Sequence, residues 1–129
     1  MAGPLDGVRI IDLTTMASGP LATSILADQG ADVIKIEGPG RGDGLRTIGP
    51  SRGGMSAIFT SFNRNKRAMV LDLREPDGVA VLDRLVAGAD VLVQNFRPGA
   101  VERMGIDEAR YRILHPELIY VSVSGFGEK

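Results

Sequence analysis

Apolar and polar positions alternate in short blocks along the chain, and the blocks predict strands separated by helices and loops. Residues 8–13 (Val-Arg-Ile-Ile-Asp-Leu) are rich in β-branched side chains and predict the first strand. Gly19-Pro20 opens a helix, with Pro20 at its first position, where no amide hydrogen is needed. Leu21, Ala22, Ile25 and Leu26 recur at helical spacing and predict the apolar stripe that packs on the sheet. Gly30 closes that helix, and residues 32–37 (Asp-Val-Ile-Lys-Ile-Glu) form the second strand. A strand–helix–strand unit of this size predicts parallel strands with a right-handed crossover.

Residues 38–56 are glycine-rich and predict a long irregular loop, a feature that is usually functional or mobile inside a compact domain. Residues 68–73 give the third strand. Pro76 starts a helix whose Val79, Leu82, Leu85 and Val86 face the sheet, and Gly88 ends it. Residues 90–96 give the fourth strand. Asp107 caps a helix that runs to about Leu114 and is stopped by Pro116, and residues 118–124 give the fifth strand. The expected fold class is α/β: a Rossmann-like, mainly parallel sheet with flanking helices, truncated after its fifth strand. Phe126-Gly127-Glu128-Lys129 follow that strand directly, where a parallel sheet normally needs a covering helix.

The fourth strand carries the clearest functional signal. Val91-Leu92-Val93 ends abruptly in Gln94, Asn95, Phe96 and Arg97, and Pro98-Gly99 turns the chain. Open α/β sheets take their ligands at the carboxyl ends of strands, so polar groups delivered there point to a small-molecule site. An ordinary strand-to-helix loop is the bland alternative.

Composition narrows the classes. The 129 residues fit one domain, 1–129, and 43% hydrophobic with 24% charged residues is a globular α/β balance. The absence of cysteine excludes thiol catalysis, disulfides and thiolate metal sites. A net charge of −1 gives no global field for nucleic acid or membrane. No apolar stretch approaches the ~20 residues of a membrane span, and the N-terminus lacks a basic start and apolar signal core. These features predict a cytoplasmic, soluble protein. Residues 41–67 nevertheless hold six cations against the single acid Asp43, a local charge of +5. That patch fits a polyanionic small molecule or an acidic partner surface, and a solvated loop equally well. Within it, Asn63-Arg64-Asn65-Lys66-Arg67 is either a phosphate or dimer contact or a solvated turn.

Several familiar chemistries find little support in the sequence. The first strand–helix turn lacks Gly-x-Gly-x-x-Gly, so Glu37 at the second strand's end does not signal a dinucleotide, and no phosphate-binding Gly-x-x-x-x-Gly-Lys loop occurs. His115 is the only histidine, and no sequence feature supplies the partner a catalytic base needs to hold its tautomer. Ser122 and Ser124 lack a nucleophile-elbow pattern. Amides at the helix start near Gly19 could hold an anion or a carbonyl oxygen, or simply cap a helix.

The ordered series of segments resembles family III CoA-transferases, which also include the α-methylacyl-CoA racemases. The segments are Pro4-Leu5-Asp6-Gly7 through Leu13, Gly19-Pro20, residues 26–37, Gly42-Asp43, residues 62–67, Leu71-Asp72-Leu73, Asn95-Phe96-Arg97-Pro98-Gly99 and residues 118–127. The resemblance covers essentially the whole chain and implies acyl-CoA chemistry in an interlocked homodimer. It implies coenzyme A or acyl-CoA as substrate, with a carboxylic acid as the second partner and no covalently bound cofactor or metal. It places Ala17 and Ser18 near the thioester end, and Leu71, Asp72, Leu73, Arg74, Asn95, Phe96, Arg97 and Arg103 along the CoA channel. Gly38 stands where many members carry a cation, a role Arg41 can take over. In the family an aspartate attacks the thioester, forms a mixed anhydride and passes CoA to a new acid. That nucleophile is expected beyond Lys129, so no catalytic residue is assigned here, and the chain reads as a self-associating fragment. A racemase fragment and a non-catalytic CoA- or partner-binding piece are the alternatives.

Overall fold

The computed structural model describes residues 3–127. Five strands form one parallel sheet: β1 (Arg9–Asp12), β2 (Asp32–Glu37), β5 (Arg67–Val70), β6 (Val91–Gln94) and β7 (Ile119–Ser122). Their spatial order is β5-β2-β1-β6-β7, the doubly wound arrangement expected from the alternating pattern. β2 spans the predicted residues 32–37, whereas β1, β6 and β7 are trimmed at both ends and β5 covers residues 67–70 rather than 68–73, because pairing stops where the chain leaves the ladder. Asn95 and Phe96 therefore lie just past the end of β6 rather than within it.

Alternation along the strands splits the core in two. Ile11, Leu13, Ile34, Ile36 and Leu92 face α3 (Pro76–Val86), α4 (Ala100–Met104) and α5 (Glu108–Leu114), and bury Leu82, Val86, Val101, Ile106 and Tyr111. Here the sequence reading holds: Leu82 and Val86 are fully buried, and Val79 and Leu85 pack beside them. Asp107 caps α5 by accepting from Arg110 N–H at 3.0 Å.

The opposite face, covered by α1 (Ser18–Asp28), departs from expectation. The predicted stripe does not pack on the sheet. Leu21, Ala22 and Ile25 are exposed, Leu26 is half-buried, and Gly19, Pro20, Thr23, Ser24 and Ala27 are buried instead. The reason lies in the strands beneath. On this face β1 and β2 place Asp12 and Lys35 directly opposite each other, so a small, hydroxyl-bearing helix face fits where leucines would not. Gly19 is part of that fit, since a Cβ there would come within 2.4 Å of the Thr14 side chain. Gly30 ends the helix at φ +104, as its position predicted.

Residues 38–56 also differ from the expected irregular loop. They contain a 3₁₀ turn (Gly44–Thr47) and a short antiparallel hairpin of β3 (Ser51–Arg52) and β4 (Met55–Ser56). An unforeseen helix, α2 (Ala57–Asn63), follows; Ser56 caps it by accepting from Phe59 N–H, and it packs against α1.

The inverted α1 gives a direct test. Leu82→Ala should cost about 2–5 kcal/mol, whereas Ile25→Ala should change stability by less than about 1 kcal/mol. Urea unfolding of the two variants measures both; a large loss at Ile25 contradicts the exposed stripe.

Candidate functional site

The strand order reverses between β1 and β6, so their carboxyl ends bracket the crevice where such sheets bind ligands. A groove of about 410 Å³ opens there. Leu71, Asp72, Leu73, Arg74 and Phe96, all expected site residues, share its wall with Leu13, Thr15 and Met104. The lining is mainly apolar, and its polar rim is the Asp72–Arg74 pair. Arg74 donates to Asp72 from Nε at 2.8 Å and from Nη2 at 2.6 Å. Those bonds hold the Asp72 carboxyl down to about 2, so it stays ionised at any ordinary pH.

Arg74 also lines an adjoining hollow of about 420 Å³ between α3 and α4, together with Arg103. The Arg103 guanidinium has no ion-pair or hydrogen-bond partner among the described residues. Arg97 is likewise unpaired, but it borders two other hollows, toward Ser122–Ser124. The three arginines therefore do not converge: Arg74 and Arg103 share one hollow, and Arg97 belongs elsewhere. Ala17 and Ser18 sit exposed at the start of α1, outside the groove lining. Asn95 turns its side chain toward β1, donating from Nδ2 to Thr15 O at 2.8 Å and accepting from Thr15 N–H at 2.9 Å.

Beneath the groove floor lies a buried ionic network that sequence reasoning missed. Lys66 is buried, not solvated, with its side chain 1% exposed. Its Nζ donates to Asp12 Oδ2 at 2.9 Å, to Pro20 O at 2.8 Å and to Asn63 Oδ1 at 2.9 Å. Burial alone would push the Asp12 carboxyl up. Lys66, Lys35 and hydrogen bonds from Thr14 and Thr23 outweigh it and hold Asp12 below the usual carboxylate range. Lys35 donates to Thr14 O at 2.8 Å and reaches Asp43 Oδ2 at 2.9 Å as an ion pair. Asp43 Oδ1 in turn accepts from Met16 N–H and Leu45 N–H, each at 3.0 Å. The signal was present in the sequence: Asp12 and Lys35 interrupt apolar strands at positions with the parity of Ile10 and Val33.

The local surplus of cations is largely neutralised in the same way. Arg46 forks onto Glu37 and stacks over Phe59 at 3.8 Å, Arg64 pairs with Asp28, and Arg67 with Asp32. Burial would raise the Glu37 carboxyl, but the Arg46 fork and the Asp43 N–H lower it. Only Arg41 and Arg52 of that segment lack a partner among the described residues, so a broad polyanion patch does not form.

The chain matches the family model described as CoA-transferase family III over residues 5–129. It belongs to that family. It is 47% identical over 126 residues to acetyl-CoA:oxalate CoA-transferase of Acetobacter aceti, covering 98% of this chain and 32% of the relative. It is 43% identical over 126 residues to succinyl-CoA:glutarate CoA-transferase of Homo sapiens, covering 97% of this chain and 29% of that one. A solved CAIB/BAIF family protein from Brucella suis superposes with a TM-score of 0.93 at 40% identity, over 100% of this chain and 35% of that structure. The chain thus spans about a third of the length of these CoA-transferase relatives. Among the described residues no helix is long and apolar enough to cross a membrane, and no cluster of three or more His, Asp or Glu could hold a metal ion.

Removing one partner of the Asp12–Lys66 pair strands a buried charge, so Lys66→Met should cost about 3–5 kcal/mol at neutral pH. Because the folded-state pKa of Asp12 is depressed, its contribution is complete above the ordinary value of 3.8 and disappears as pH falls through the lower folded value. Asp12→Asn should therefore flatten the acid limb of stability below about pH 4. Thermal unfolding across pH 2–7 in the two proteins checks this, and parallel acid limbs would contradict it.

Proposed function

We propose that these residues form the CoA-binding portion of an acyl-CoA:carboxylic acid CoA-transferase, a cytoplasmic enzyme working as a homodimer. The observation that carries the reading is the groove at the switch point, which gathers Leu71, Asp72, Leu73, Arg74 and Phe96 in one wall. Its apolar lining suits the pantetheine arm, and the adjoining hollow with the unpaired Arg103 suits a phosphate. Arg97, also unpaired, is a second phosphate contact for a ligand that runs past Phe96. Ala17 and Ser18 face the thioester end in this reading, and Asn95 acts at the groove edge. The named acids of the two relatives, oxalate and glutarate, favour a short dicarboxylic acid as acceptor. The carboxylate that attacks the thioester is supplied from beyond residue 129. In this reading a second subunit covers the exposed Leu21, Ile25 and Val70.

CoA should bind these 129 residues weakly, with Kd near 1 mM, about −4 kcal/mol, and more weakly as salt rises. Arg103→Ala should reduce that affinity about fivefold at low salt. Calorimetric titration at two salt concentrations checks both, and equal, salt-insensitive binding in the two proteins refutes the phosphate assignment.

No transfer of CoA from succinyl-CoA or acetyl-CoA to oxalate or glutarate should occur with residues 1–129 by themselves, because in this reading the attacking carboxylate lies outside them. A chromatographic assay of thioester exchange detects it; turnover abolished by a point change within these residues would place the nucleophile among them.

A further inference from the structure

The strand–helix loop that borders the groove is held from three directions. Four consecutive main-chain groups are each bonded by a side chain from elsewhere in the fold. Thr14 O accepts from Lys35 Nζ at 2.8 Å. Thr15 N–H and Thr15 O are both taken by Asn95, at 2.9 and 2.8 Å. Met16 N–H donates to Asp43 Oδ1 at 3.0 Å. Between these anchors Met16 sits at φ +67, a left-handed conformation that a side chain other than glycine's rarely adopts without outside support. Thr15 is itself part of the groove wall. Asp43 and Lys35 are 1% exposed, so neither can touch a ligand; whatever they do for the groove, they do through this loop.

We propose that Asp43, Lys35 and Asn95 are positioning residues: they hold Thr14–Met16 in the shape that accepts CoA before CoA arrives. The proposal rests on the reading of the groove as a CoA site. It differs from a contact role for Asn95, because both ends of the Asn95 amide are already committed to Thr15. An ordered wall spares the ligand the entropy of fixing it, and that saving appears as affinity. Asp43 is the central member, since the same carboxylate bonds Met16 and pairs with Lys35, so two of the three anchors fix each other.

The test titrates CoA into the unmutated chain, Asp43→Ala, Asp43→Asn and Asn95→Ala by calorimetry. Amide hydrogen exchange at Thr15 and Met16 is followed in the same samples. Asp43→Ala and Asn95→Ala should each weaken CoA about tenfold and speed exchange at both amides in the free protein. Asp43→Asn keeps an acceptor oxygen for Met16 but gives up the charge opposite Lys35, so it should recover part of the affinity, a rescue that a general loss of stability would not give. Unchanged affinity in Asp43→Ala and Asn95→Ala, despite faster loop exchange, overturns the proposal. A loss confined to Asn95→Ala also overturns it and makes Asn95 a direct ligand contact. If Asp43→Ala does not fold by circular dichroism, Asn95→Ala decides, and normal CoA binding there overturns the proposal. Failure of the unmutated chain to bind CoA at all overturns the CoA site itself, and this proposal with it.

Discussion

The ion pair between Asp12 and Lys66 is the constraint around which one face of this molecule is arranged. A carboxylate in the middle strand of a parallel sheet is costly unless it is paired and hydrogen-bonded. Here Lys66, Thr14 and Thr23 all converge on it. Meeting that demand fixes much else. Lys66 must enter from the segment after α2, which pins α2 beside α1. The Lys66 ammonium also takes Pro20 O, which ties the start of α1 to the sheet. Thr23, not a leucine, must face inward. The orientation of α1 thus follows from electrostatics on the strand below it.

That dependence explains what the sequence made legible and what it hid. On the α3 side the core is purely apolar, and the spacing of Val79, Leu82, Leu85 and Val86 revealed the buried stripe correctly. On the α1 side the same rule pointed to Leu21 and Ile25, and it failed because the surface being covered is charged. Periodicity reports which residues are apolar, not which surface they meet. The cations of residues 63–67 were unreadable for a related reason. Their partners, Asp12, Asp28 and Asp32, lie more than 30 residues away in the chain, and only the parallel pairing of β5 with β2 brings them close.

The site was legible in outline and not in its detail. Polar residues at the end of β6 pointed to the edge of the sheet where the strand order reverses and a groove opens. Leu71–Arg74 and Phe96, grouped by the family resemblance, share one wall of that groove. The division of labour within the edge is set by tertiary placement. Arg74 is occupied by Asp72 while Arg97 and Arg103 have no partner among the described residues, and no property of an arginine in sequence distinguishes the two conditions.

The glycine-rich stretch after β2 acts as a ruler. Glu37 Oε2 accepts from Asp43 N–H at 2.9 Å and from Arg46 Nε at 2.7 Å, so the chain between Glu37 and Arg46 is closed back on the strand it leaves. Surface loops ordinarily absorb insertions at small cost. This one converts length into position, because its sixth residue, Asp43, is the carboxylate that holds the Met16 amide. Identity is constrained within it as well as number: Gly40 and Gly42 sit at φ +85 and +61, and a Cβ on Gly42 would come within 2.4 Å of Glu37 Oε2. The hairpin at residues 51–56, which carries no such stitch to the strand–helix loop, is where the segment is free to grow.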